Sequence, residues 1–89
     1  MKEQYKTRTI AQLKKAEGML KKVIKMAEED QYCIDLLQQS LAVAGLMKGA
    51  NKLILENHLH SCFKTGMQKA GSVKQKKLID EVLRIISKA

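Results

Sequence analysis

The chain has no proline and no tryptophan, and only one phenylalanine, two tyrosines and five glycines among its 89 residues. With so few breaks, helical periods run on uninterrupted, and the fold class expected is all-α. The scarcity of rings leaves aliphatic and methionine side chains to fill the core. No apolar run approaches the roughly 20 residues of a membrane-spanning helix. Residues 1–25 are lysine-rich and lack the continuous apolar core of a secretory leader, so the expected location is the cytoplasm. Apolar residues make up 45% of the sequence, enough for a single domain over residues 1–89. A chain of this size is a marginal folder alone, and oligomerisation would help it bury apolar surface.

Cysteine and histidine are scarce too, with two of each, and all four lie in one stretch from Cys33 to Cys62. Its apolar residues recur at helical spacing (Leu37, Leu41, Ala44; Val43, Met47, Ala50, Ile54), which predicts one long helix. In a straight helix, a rise of ~1.5 Å per residue sets the two cysteines ~43 Å apart. They then share neither a disulfide nor a metal within one chain. His58 and Cys62, four residues apart, stand one above the other on one helix face and make half of a metal site. Completing it with Cys33 requires either a second chain packed antiparallel or a sharp break near Gly45 and Gly49.

The remainder reads as support for this stretch. Residues 1–6 look frayed. A first helix is expected from Thr7 or Thr9 to about Glu29, with Thr9 and Gln12 as a capping box and Ile10, Leu13, Leu20, Ile24 and Ala27 as its apolar stripe. Gly18 costs ~1 kcal/mol relative to Ala in mid-helix and is expected to mark a close helix approach. Asp30 is the expected N-cap of the second helix, which puts Cys33 in the first turn, where helix N-termini favour thiolates. A third helix over about 73–88 follows a looser segment near Gly66 to Gly71, with Ser72 and Gln75 as a second capping box.

The net charge of +8 is concentrated at the two ends, with +6 on residues 1–25 and +5 on residues 64–89. A polyanion such as DNA is the natural partner of such a surface, a merely solvated basic face being the plainer alternative. Arg8, Lys14, Lys15, Lys21, Lys22, Lys48 and Lys52 are the candidate DNA-contacting residues. Two thiolates and one imidazole form a soft set of three donors, which suits Cu(I) better than hard cations, whereas zinc prefers a fourth ligand. His60 is offset by two residues from both His58 and Cys62 and reads as a surface histidine. Nothing supplies a nucleophile, a base and an orienting group together, so an enzyme is not expected.

The run Glu28-Glu29-Asp30-Gln31-Tyr32-Cys33-Ile34-Asp35, followed by Gln39 and by Asn57-His58-Leu59 with Cys62, resembles the copper-sensitive operon repressor (CsoR) family of bacterial metal-sensing repressors. The likeness extends to Leu13, Glu17 and Gly18 and to the segment around Glu81, and so covers nearly the whole chain. It implies a three-helix protomer, an antiparallel four-helix-bundle dimer and a disc-shaped tetramer. It also implies a Cu(I) site made by Cys33 of one protomer with His58 and Cys62 of the partner subunit. Tyr32 and Glu81 match positions that link the ligand histidine to the third helix. By the same resemblance the metal-free tetramer binds operator DNA, and Cu(I) weakens that binding to release copper efflux or storage genes. One departure is the run Gln12-Leu13-Lys14-Lys15, where family members often carry arginine. Lysine lacks the bidentate fork that reads guanine, so phosphate contacts and DNA shape are expected to carry more of the recognition.

Three other readings compete. A thiol- or persulfide-responsive repressor of the same fold would bridge the two cysteines, and it would have no need of His58. A nickel, cobalt or zinc sensor would draw a further ligand, usually histidine, from an N-terminal segment that holds none in residues 1–10. A copper-buffering bundle without a regulatory role would expose its site for handover.

Overall fold

A computed structural model describes residues 1–69 and 71–88, with the side chain of Cys62 left out. Helix α1 spans Glu3–Glu28 and α2 spans Cys33–Asn57. The α2 rod continues through a π-helical turn, His58–Phe63, into the short α3, Lys64–Lys69, and α4 follows as Ser72–Ile86. The three arms expected, α1, the α2 rod and α4, are therefore present, and no strand occurs among the described residues. The protomer measures 56 × 27 × 14 Å, a flat hairpin about one helix layer thick.

The hairpin is held by a seam of alternating four- and three-residue steps. Tyr5, Thr9, Gln12, Ala16, Met19, Val23 and Met26 on α1 are buried or half-buried, as are Leu36, Gln39, Val43, Leu46, Ala50, Leu53 and Asn57 on α2. Steps of this kind keep one face of each helix on its neighbour over many turns. The seam holds several polar residues. Gln12 donates through Nε2 to the Leu46 carbonyl at 3.3 Å, and a Cβ placed on Gly49 would collide with that amide. The space that a side chain at 49 would enter is thus occupied by the Gln12 amide.

The stripe expected to pack, Ile10, Leu13, Leu20 and Ile24, lies beside this seam and is exposed in the protomer, from 37% at Leu13 to 51% at Ile24. Among the described apolar residues only Ala16, Met26 and Ala50 are buried. Burying a large aliphatic side chain contributes ~1.5–3 kcal/mol, and most of that contribution is not realised in a single protomer.

Local signals resolve differently from the sequence reading in several places. Helix α1 starts at Glu3, so residues 3–6 are helical and Thr9 with Gln12 lies inside the seam instead of capping it. Asp30 does not cap α2. With φ 54 it closes α1 in the left-handed conformation, its N–H bonding to Ala27 and that of Gln31 to Met26. That pairing is the Schellman pattern, usually built on glycine. The N-cap of α2 is Tyr32. Ser72 is already helical behind the N-cap Gly71, and the Gln75 side chain reaches back to the Met67 carbonyl at 2.6 Å, tying α4 to α3. A Cβ on Gly18 would meet nothing within 4 Å, whereas one on Gly66 would press on Leu78. The close approach expected at Gly18 is therefore not found there, and the neighbours of Gly49 and Gly66 are the side chains of Gln12 and Leu78.

Candidate metal centre

Cys33 is the first residue of α2 and is an exposed, free thiol. Tyr32 beside it is 69% exposed. At the other end of the rod, His58 opens the π-helical turn, half-buried, with its ring 6.2 Å from that of Phe63 and tilted by 50°. The backbone of Cys62 lies in the same turn, and its side chain is outside the described residues. Because α2 runs unbroken past Gly45 and Gly49, the fold-back alternative is ruled out. Cys33 and His58 are then ~37 Å apart along the helix. No group of three or more potential ligands gathers within the protomer among the described residues.

A π-helical turn carries i→i+5 hydrogen bonds and often sits at functional sites. Here the turn begins at a candidate ligand and holds a second one. Asn57, just before it, is buried at 4%. Its carbonyl accepts a 2.6 Å hydrogen bond from the Ser61 hydroxyl.

Glu81 lies on α4, exposed, and lines one open groove with His58, together with Ile54, Leu55 and Val82. Sequence-predicted residues thus fall into two groups at opposite ends of one rod. His58 and Glu81 share a wall with the turn of Cys62 next to them, and Cys33 and Tyr32 stand at the far end.

The basic candidates Arg8, Lys14, Lys15, Lys21, Lys22, Lys48 and Lys52 are all exposed. At 3.6 residues per turn, Arg8, Lys15 and Lys22 flank the packed stripe of α1 on the side away from its exposed apolar stripe, and Lys14 and Lys21 lie on its outer face. Lys48 and Lys52 lie on the face of α2 opposite its seam, so the seven do not form one patch on a single protomer.

Sequence reasoning missed the end of the hairpin. The Lys2 backbone N–H donates to Asn57 Oδ1 at 2.8 Å, and Tyr5 stacks on His60 with ring centroids 6.4 Å apart and planes 10° from parallel. His60 is exposed, as expected, but it has an aromatic partner. The signal available was register, since stepping by four and three from Leu36 reaches Asn57 inside the seam.

A family model described as metal-sensitive transcriptional repressor matches residues 5–88. The copper-sensing transcriptional repressor CsoR of Mycobacterium tuberculosis (strain H37Rv) is 36% identical over 78 residues, 86% of this chain and 66% of that protein. Its namesake from Bacillus subtilis (strain 168) is 37% identical over 76 residues, 85% of this chain and 72% of its own length. The copper-sensing repressor RicR of M. tuberculosis is 32% identical over 68 residues, 76% of this chain and 71% of its own length. This chain thus spans about two thirds of the length of the mycobacterial CsoR that it matches.

Proposed function

Because this chain belongs to the metal-sensitive transcriptional repressor family, we propose that it is a Cu(I)-responsive repressor whose metal-free form binds operator DNA in the cytoplasm. Residues 1–89 act as one metal-sensing, DNA-binding domain. Cu(I) is held between chains by Cys33 of one protomer with the partner subunit's His58 and the partner subunit's Cys62.

The observation that carries this reading is the separation of soft donors to the two ends of an unbroken rod. Within α2 the points midway between Cys33 and His58 and between Cys33 and Cys62 fall at residues 45–48. A two-fold axis there would bring each cysteine end of one α2 against the histidine end of the other. The exposed apolar residues support such pairing. Ile10, Leu13, Leu20 and Ile24 on α1, with Leu37, Met47 and Ile54 on α2, are the surface that a second hairpin would cover in a four-helix bundle. Two such dimers would then stack into a tetramer through exposed α4 residues such as Ile79 and Leu83.

The donor set fits the metal chemically. Two thiolates and one imidazole are soft ligands, and three donors satisfy Cu(I) where zinc would want a fourth. Glu81, on the wall it shares with His58, orients the ring, and Tyr32 approaches from the partner's cysteine end, so that ligand geometry and α4 are linked. DNA binding rests on the exposed basic face of α1, with Lys48 and Lys52 contributing from the outer face of α2. Lysine contacts of this kind read phosphate position and groove shape.

The test is an anaerobic Cu(I) titration against a competing chelator, run beside an operator-binding assay. One tight site per protomer is expected, lost on Cys33→Ala or Cys62→Ala, and DNA affinity falls when it fills. The relation between two such sites is reciprocal, and couplings of about 5–150-fold are usual. Tight copper binding without any change in DNA affinity would sink the regulatory part of the reading. Release of DNA by polysulfide but not by copper would favour the thiol-responsive alternative, which the exposure of Cys33 also allows.

A further inference from the structure

The N-terminus of α1 has no capping side chain of its own, since its N-cap is Lys2 and no side chain from its own helix bonds there. The first N–H groups of a helix need outside acceptors, and one is supplied from α2. Asn57 Oδ1 accepts the Lys2 N–H at 2.8 Å across 55 residues of sequence. One turn further along α1, the Tyr5 ring lies parallel on that of His60. Asn57 is buried while its own carbonyl accepts the hydroxyl of Ser61. The Asn57 side chain and the Tyr5–His60 ring pair therefore join the start of the basic helix to the π-helical turn of His58 and Cys62.

We propose that Asn57 is a positioning residue through which a change in the His58–Phe63 turn is passed to the first turn of α1 and so to its basic face. This rests on the copper-repressor reading for the identity of the ligand, but the coupling itself is a property of the apoprotein. A π-helical turn holds one more residue than an α-helical turn between bonded groups. Drawing His58 and Cys62 onto one ligand selects one arrangement of that turn. Asn57 stands at its first bond, so its side chain moves with the turn, and the α1 N-terminus loses or keeps its acceptor accordingly. Coupling of this kind requires an element with two arrangements that both sites bias. The π-helical turn, with the α-helical register as its alternative, would serve as that element.

The test uses the full chain with three substitutions. Asn57→Ala removes the acceptor, Asn57→Asp restores one as a carboxylate that also suits a helix N-terminus, and Tyr5→Leu removes the stack while keeping apolar bulk. The first readout is the ratio of operator affinities without and with Cu(I). Asn57→Ala should lower that ratio at least about fivefold, the low end of usual couplings, while one Cu(I) per protomer still binds. Asn57→Asp should return it to near the wild-type value. The second readout needs no metal. Amide hydrogen exchange of the apoprotein should rise at residues 3–9 in Asn57→Ala and at residues 58–63 in Tyr5→Leu, each change crossing to the other helix.

An unchanged affinity ratio in Asn57→Ala, or exchange that rises only in the substituted helix, would overturn the proposal. If copper has no effect on DNA binding by the wild-type protein, the functional reading fails instead, and the exchange measurement still decides the coupling.

Discussion

Thr9 illustrates what a single residue contributes to this seam. Its side chain is buried at 4%, and Oγ1 has no hydrogen-bond partner among the described residues. A buried, unpaired hydroxyl costs about 1–3 kcal/mol. Thr9→Val keeps the branched shape and removes the group, so it should stabilise the protein by ~1 kcal/mol, or about 4–8 °C in Tm for a domain of this size. Thermal unfolding followed by circular dichroism checks this, and a drop of similar size would mean that the hydroxyl is paired in the assembled protein. At this scale the sequence was partly legible. Cys33 and His58 stand out by type and spacing, and the structure places them where a long helix would. Asp30 has the residue type of a helix start but takes the left-handed position that closes α1. Asn57 enters the sequence reading only as part of the resemblance, because its place inside the seam shows only once the register is known.

Among the elements, α1 shows why periodicity alone leaves packing undecided. It carries two neighbouring stripes at helical spacing. The one through Ile10, Leu13, Leu20 and Ile24 is the more hydrophobic and dominates any sequence reading, although Glu17 interrupts it. The one that packs runs unbroken from Tyr5 to Met26 but includes Thr9 and Gln12, whose polarity disguises it. Gln12 belongs inside because its amide finds an acceptor in the Leu46 carbonyl beside a glycine. The greasier stripe is then free for another chain, and replacing Leu20 and Ile24 together by lysine should convert a dimer or tetramer to monomer with helix content reduced. Sedimentation velocity would show it, and an unchanged oligomer would place the interface on another face. The π-helical turn had no sequence signal, since its residues are compatible with an ordinary α-helix and only the register of the backbone hydrogen bonds distinguishes the two.

For the molecule as a whole, a hairpin 14 Å thin with three buried apolar side chains among the described residues is an incomplete fold. Conformational entropy costs roughly 1–2 kcal/mol per ordered residue, so a 26-residue helix such as α1 needs more apolar cover than one partner helix provides. Dimerisation would supply that cover, and in the proposed antiparallel form it would also complete the metal site. Folding, assembly and sensing would then depend on the same surface. The basic face of α1 is repeated by each added protomer, giving a wider positive surface to a long polyanion than one hairpin presents.

Mixed dimers decide whether Cys33 acts with the histidine and cysteine of another chain. Co-express two differently tagged chains, one carrying Cys33→Ala and the other His58→Ala with Cys62→Ala, and isolate the mixed species. Neither homodimer has a complete site, but the mixed dimer has one intact set and one empty set, so it should bind one Cu(I) per two chains with wild-type affinity. Failure of the mixed dimer to bind Cu(I) more tightly than either homodimer would mean that the site is not shared between chains.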